Sequence, residues 1–134
     1  MNEHFPKVEK LKRDKIIEQL FKNGSNVKAF PLILIYSKVQ LLENVSVQAG
    51  FSVPKRIYKL AVHRNRLKRL MRESYRKNKT QFKVGGETYA FMFIYVGKEM
   101  LSQEQINHQF VKLIAKFNGK MEDNSAEIMH ENEV

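Results

Sequence analysis

One uncharged and largely apolar run constrains the fold of this chain more than any other feature. Residues 88–96, TYAFMFIYV, carry no charge, and nearly every position is apolar or aromatic. A strand with one solvated face would alternate polar and apolar side chains, whereas a continuous run is typical of a strand buried on both faces. The run therefore predicts a central strand that other elements cover on each side.

Two earlier segments also predict strands. Residues 30–39 are rich in β-branched and aromatic side chains, and Pro31 indicates a strand start or an edge. Residues 45–53 alternate apolar with small or polar side chains and predict a strand with one buried face. A turn over 40–44 separates the two segments, so we expect them to form an antiparallel pair.

Three helices complete the pattern. One is predicted over 13–22 and ends at Asn23-Gly24, and a second over 60–77 follows Pro54 and a basic loop. A third begins with a capping box, Ser102 with Gln105, and ends at Asn118-Gly119. The order α-β-β-α-β-α predicts an α+β fold, a small α/β sandwich.

The 134 residues are ordinary for one domain. We expect this domain over 1–119. Residues 120–134 hold one Lys against five acids and few apolar side chains, so we expect a disordered acidic tail there.

The positive charge of the chain is concentrated in one window. Lys and Arg number 24 against 14 Asp and Glu, a net charge of +10. Residues 55–79 alone contain 11 basic residues and one acid, which leaves the remaining chain with 13 of each. Such a patch is typical of a surface that binds a polyanion, and the plainer alternative is a solvated face kept for solubility.

The predicted helix over 60–77 separates its residues onto two faces. At 100° per residue, one stripe is basic and the opposite stripe is suited to packing on the sheet. His63 falls on the sheet-facing stripe, which favours a core or capping role for it. The sheet-facing stripe comprises Leu60, His63, Leu67, Leu70, Met71 and Ser74. The basic stripe comprises Asn65, Lys68, Arg69, Arg72 and Arg76, with Arg64 and Arg66 on its flanks.

Enzyme and membrane signals are scarce in the chain. There is no P-loop, no G-x-S-x-G and no H-E-x-x-H motif, and the four histidines lack metal-ligand spacing. The absence of cysteine excludes disulfides and thiolate sites. No window approaches the ~18 apolar residues of a membrane span, and residues 1–15 lack the pattern of a secretory signal. We therefore expect a cytoplasmic protein with no membrane partner.

The stretch 51–75, FSVPKRIYKLAVHRNRLKRLMRESY, resembles the signature of the bacterial ribonuclease P protein component family. That family has S-V-x-K-[KR] at a strand end, a short turn, and then A-V-x-R-N-R-x-K-R-x-x-R-E. The resemblance extends over about residues 5–117, and the R-N-R-x-K-R run is its most specific part. The turn departs from the family pattern, because Tyr58-Lys59-Leu60 stand where the family usually has a glycine.

This resemblance implies a fold and a function. The sheet would be mixed, with a left-handed β-α-β crossover through the basic helix, against the usual right-handed rule. The protein would bind the ribonuclease P RNA and the 5′ leader of precursor tRNA, and assist leader removal. The RNA would perform the chemistry with Mg²⁺, which the protein alone would not hold. No catalytic residue and no obligate protein partner are expected.

The resemblance also implies two sets of site residues. The first set would bind the RNA subunit: Lys55, Arg56, Arg64, Asn65, Arg66, Lys68, Arg69, Arg72 and Arg76. The second set would form the leader-binding cleft: Lys12, Ile17, Phe21, Tyr36 and Ser52. For Phe21 and Tyr36, packing in the core is the alternative.

Two other functions stay open at this point. A different RNA-binding module, such as a ribosomal or ribosome-assembly protein, would use the same basic helix without preferring a 5′ leader. A nucleic-acid hydrolase would cleave without any RNA subunit.

Overall fold

A computed structural model describes residues 5–132, with side chains up to Glu122. Three helices and one sheet make up the fold, and two single 3₁₀ turns (Lys7–Glu9 and Lys79–Gln81) supplement them. The main elements are α1 (Asp14–Asn23), β1 (Ser25–Ala29), β2 (Leu32–Lys38), β3 (Val47–Ser52), α2 (Ala61–Asn78), β4 (Tyr89–Tyr95) and α3 (Gln103–Asn132).

The sheet is mixed and has the order β1-β2-β4-β3. β4 pairs antiparallel with β2 and parallel with β3. The sequence predicted that residues 30–39 and 45–53, which form β2 and β3, pair antiparallel. That prediction is wrong, because β4 lies between these two strands. Strand β1 was also missing from the predicted order, since its sequence SNVKA is short and largely polar.

The parallel pair explains why α2 lies where it does. Parallel neighbours cannot be joined by a tight turn and need a long crossover connection. The segment between β3 and β4 is α2, so the basic helix itself forms this crossover. The mixed α+β fold is as expected, and the left hand of the crossover stays a prediction.

Strand β4 is buried on both faces, as its sequence predicts. Tyr89, Phe91, Phe93 and Tyr95 point to the inner face of the sheet, where α2 and α3 pack. Ala90 and Met92 point to the outer face, where α1 packs.

Aromatic rings fill the inner core. Phe93 contacts Phe110 of α3 with ring centroids 4.8 Å apart, and Tyr75 of α2 at 5.3 Å. Phe91 contacts Phe117 at 5.3 Å. These contacts attach both helices to the same strand, so the position of α2 depends on β4.

The capping box that begins α3 is confirmed. The Gln105 N–H donates to Ser102 Oγ at 3.2 Å, and the Ser102 N–H donates to Gln105 Oε1 at 2.9 Å. The predicted end at Asn118-Gly119 is wrong, because α3 continues to Asn132.

Tertiary contacts carry α3 past that stop signal. Asn118 donates to the Gln81 carbonyl and accepts from the Lys83 N–H, so its side chain is used between elements rather than for ending the helix. Glu122 pairs with Lys83 at 3.1 Å. Helix α3 includes residues 120–132. The division into a domain over 1–119 and an acidic tail over 120–134 stays a prediction, and residues 133–134 of that tail lie outside the described residues.

Substitutions of two glycines, Gly119 within α3 and Gly24 at the end of α1, test whether α3 continues past residue 119. A methyl group on Gly119 would meet nothing within 4 Å, so Gly119→Ala should stabilise the protein by about 0.5–1 kcal/mol through helix propensity. A methyl group on Gly24 would lie 2.5 Å from the Leu20 carbonyl oxygen, so Gly24→Ala should destabilise by about 1–3 kcal/mol. Urea denaturation measures both changes. Equal effects of the two substitutions would contradict this placement of α3.

Candidate RNA-binding surface

The exposed side of α2 forms a strip of basic and polar side chains. Its buried side consists of Leu67, Met71, Ser74, Tyr75 and Asn78, which face the sheet and α3. Opposite them lies an open groove of about 640 Å³. The groove is lined by Val62, His63, Asn65, Arg66, Lys68, Arg69 and Arg72. The structure thus brings five of the sequence-predicted RNA-binding residues together on one surface.

His63 and Leu60 are exposed instead of packing on the sheet as predicted. His63 lines the basic groove, and Leu60 is 60% exposed. The prediction failed because Leu60 is the N-cap of α2 and His63 lies in its first turn, whereas the buried side of the helix begins only at Leu67. Val62 is also exposed here, at 68%, and the helical pattern had not marked it as a surface residue.

The first turn of α2 adds to the positive potential of this surface. It contains no acidic residue, and the N-terminus of a helix carries partial positive charge with free N–H groups. Both features favour an anion such as phosphate at this end of the strip.

Arg64 connects the basic turn to the helix. One of its guanidinium nitrogens, Nη1, donates to the carbonyls of Tyr58 and Lys59 at 2.8 and 2.9 Å. Lys55 and Arg56 are exposed in the same turn. Arg64 therefore positions the turn, and its remaining donors stay available for a ligand.

Arg72 and Arg76 at the far end of α2 have partners within the protein. The Arg72 guanidinium lies 6.0 Å from the centre of the Phe51 ring, and Arg76 forms a two-pronged ion pair with Glu73 at 2.6 and 3.1 Å. The hydrogen bond from Arg76 lowers the pKa of Glu73 below its usual range, so this pair is charged at neutral pH. Arg76 is consequently less free to bind phosphate than Arg66 or Arg69.

The predicted leader-binding residues divide between the two faces of the sheet. Ile17 of α1 packs in the outer cluster with Ile94, and Ser52 is the register partner of Ile94 on β3. Phe21 lies one turn after Ile17 and is 53% exposed, and Lys12 is exposed just before α1. These four residues lie on or beside the outer face.

Tyr36 does not belong to this group. It is 6% exposed on the inner face, where its ring contacts Phe117 at 5.0 Å and Tyr89 at 6.4 Å. Alternation along β2 directs it away from α1, so the core alternative holds and its assignment to the cleft is wrong. Gln48 and Gly50 share the outer face with Ser52, and the period-two pattern of β3 could have identified them.

The described residues offer no metal centre and no membrane span. Among residues 5–122, no three His, Asp or Glu side chains lie close enough together to hold a metal ion. Across the helices that the structure describes, none has the length and apolar character that crossing a bilayer requires.

Solved structures with the same fold are ribonuclease P proteins. The Staphylococcus aureus RNase P protein superposes with a TM-score of 0.65 at 20% identity, over 81% of this chain and 96% of that chain. The RNase P protein of Thermotoga maritima gives 0.64 at 20% identity, over 81% and 96%. At this identity the likeness establishes the fold.

Sequence relatives carry the same description. The ribonuclease P protein component of Chlorobaculum tepidum is 42% identical over 66 residues, which are 47% of this chain and 43% of the relative. That of Caldanaerobacter subterraneus is 35% identical over 92 residues, 69% and 73% of the two chains. The matches to the first relatives span about half of their length. A family model described as Ribonuclease P matches residues 5–118, and the chain therefore belongs to the ribonuclease P protein family.

Proposed function

We propose that this chain is the protein subunit of a ribonuclease P holoenzyme. It binds the catalytic RNA through α2 and the 5′ leader of precursor tRNA at the outer face, and so assists cleavage that yields the mature 5′ end. The observation that carries this proposal is the exposed basic strip of α2, opposite a buried side that fixes the helix to the sheet.

The chemistry of the strip suits a folded RNA. Arg66 and Arg69 are exposed forks of donors that match phosphate oxygens, and Asn65 can donate to and accept from a ribose hydroxyl. Binding of this kind releases counterions, so the affinity should fall steeply as salt rises.

The outer face suits a single strand of variable sequence. Such a strand is held by aromatic stacking together with positive charge, because every base has a π-face. Phe21 supplies an exposed ring and Lys12 an exposed ammonium group on this side of the sheet. Ile17 and Ser52 would form the floor of the cleft.

The remaining parts of the proposal follow from the resemblance. The RNA holds the catalytic Mg²⁺ and performs the hydrolysis, and the protein acts as an accessory subunit without catalytic residues. The protein works in the cytoplasm, without an obligate protein partner, and residues 1–119 are its RNA-binding domain.

Reconstitution tests the function as a whole. A ribonuclease P RNA at low Mg²⁺ should process precursor tRNA faster when this protein is added, and the protein alone should cleave nothing. Cleavage by RNA-free protein would instead indicate a hydrolase. Binding without any change in processing would indicate a different RNA-binding module.

The basic strip is tested by a double substitution. Arg66→Ala with Arg69→Ala should weaken binding of the RNA subunit by at least about 100-fold, because each lost charged hydrogen bond costs about 1.5–3 kcal/mol. Filter binding at physiological salt measures the affinity. A matched control, Lys7→Ala with Lys15→Ala, removes two exposed charges elsewhere and should change it less than about threefold. Equal losses in the two variants would reject α2 as the RNA-binding element.

The leader site is tested at Phe21. Phe21→Ala should weaken binding of precursor tRNA to the holoenzyme by about 5- to 100-fold, because one stacked base contributes about 1–3 kcal/mol. Binding of mature tRNA, which has no leader, should not change. Phe30→Ala is the control, since Phe30 is 74% exposed in the turn between β1 and β2, outside the proposed cleft. Equal losses for the two tRNAs would remove Phe21 from the leader site.

A further inference from the structure

The two edges of the sheet are protected in different ways. The β3 edge is bordered by the N-terminal segment, where the Leu11 N–H donates to the Ala49 carbonyl at 3.0 Å. The β1 edge is bordered by lysines of α3. Lys120 donates to the Asn26 carbonyl at 2.9 Å, and Lys116 donates to the Lys28 carbonyl.

The lysines of α3 form a second basic stripe. Lys112, Lys116 and Lys120 repeat every four residues and are all exposed. Among residues 5–122, none of the three forms an ion pair with a carboxylate, whereas Lys79 pairs with Glu9 at 2.8 Å. Like charges at this spacing destabilise a helix, so the stripe opposes the folding of α3 and needs another explanation.

Two of these ammonium groups are already ordered. An ammonium group has three donors, and each bond to a β1 carbonyl uses one of them. Lys116 and Lys120 therefore keep both their charge and further donors, and less side-chain entropy is lost when they bind a ligand. They border an open groove of about 420 Å³ together with Lys28 and Gly119.

We propose that this β1-edge surface (Lys28, Lys112, Lys116 and Lys120) binds a second stretch of RNA backbone, separate from the one that α2 binds. β1 and β3 are the opposite edges of the sheet, about 14 Å apart at the usual strand spacing. α2 packs beside β3 and α3 beside β1, so the protein presents basic surfaces on two sides.

RNA fits this surface better than an acidic protein does. The centre of a protein interface is usually aromatic or apolar and depleted of lysine. Among the side chains that the structure describes, Val27 is the one apolar residue lining the groove, and it is buried in the core. The available donors are ammonium groups, which match phosphate oxygens without regard to base sequence. The inference rests on the proposed function, because it assumes that an RNA subunit is present.

Directed cleavage of the RNA tests the position of this surface. The chain has no cysteine, so a single introduced cysteine can carry a tethered iron chelate that generates hydroxyl radicals. Ala115→Cys places the probe beside Lys116 without removing a lysine, and Lys77→Cys places it on α2. Gln40→Cys, in the turn after β2, is the control. All three positions are exposed.

In the complex with a ribonuclease P RNA, the probe at position 115 should cleave the RNA backbone at a site distinct from the one cleaved from position 77. Both should cleave more strongly than the probe at position 40. Cleavage from 77 with only control-level cleavage from 115 would overturn this inference and leave the proposed function intact. An absence of cleavage from every position would count against the proposed function itself.

A triple substitution tests the energetics. Lys112→Gln, Lys116→Gln and Lys120→Gln together should weaken RNA binding at least tenfold at physiological salt, and should reduce the slope of log affinity against log salt by about two to three. The control changes Lys7, Lys15 and Lys38, which are also exposed, to Gln and should lower the affinity less than twofold. Lys-to-Arg changes at 112, 116 and 120 should retain binding.

The same variant distinguishes RNA binding from edge protection. If the lysines serve only to cover the β1 edge, the triple variant should unfold at lower temperature or self-associate, while the folded monomer binds RNA normally. Normal RNA binding by the folded triple variant would overturn the inference. Binding of an acidic protein but no RNA at the β1-edge surface would also overturn it.

Discussion

Burial of β4 on both faces is the constraint on which the rest of this structure depends. A strand with aromatic side chains on one face and Ala90 and Met92 on the other must be covered twice. α1 covers the outer face, and α2 and α3 share the inner face. The candidate RNA-binding surfaces are the sides of these helices that face away from the strand.

A partly buried polar network then fixes α2 against α3. The Gln103 amide donates to the Leu70 carbonyl and to Ser74 Oγ, both at 2.9 Å, and Asn78 donates to Asn107 at 2.8 Å. These bonds have specific directions, so they define the rotation and the register of α2 more narrowly than apolar contacts do. The rotation of α2 in turn decides which arginines face solvent.

Periodicity of the sequence predicted the elements in which burial follows one regular pattern along the chain. β4 and the two faces of α2 were found because their burial follows one regular pattern, and the capping box at Ser102 is a local signal. β1 was missed because its short and polar sequence gains order from pairing with β2 and from the lysines of α3. The end of α3 was misplaced because Asn118 bonds to Gln81 and Lys83, which are distant in sequence.

The site was predictable to the same extent. The basic strip follows from spacing within one helix, so the exposure of Arg66 and Arg69 is confirmed, while their binding of RNA stays a prediction. Assigning Tyr36 to a face of the sheet requires the register of β2 with β4. Predicting that His63 is exposed requires knowing where along α2 the buried side begins. Neither is encoded in a short window. The lysine stripe of α3 is visible in the sequence because it repeats every four residues. Its proposed role depends on β1 lying beside it, which the sequence does not show.

The crossover through α2 ties the proposed RNA-binding surface to the integrity of the protein. β3 and β4 are neighbours in space, yet the chain reaches one from the other only by way of the arginine-bearing helix. If α2 came away from the sheet, the rings of Phe51 and Phe93 would lose their cover from Tyr75. A molecule with an intact sheet and an unfolded α2 is therefore a high-energy species. Folded copies of this protein therefore carry the proposed RNA-binding surface in place, whereas a copy that has lost α2 from the sheet exposes the hydrophobic face of β4.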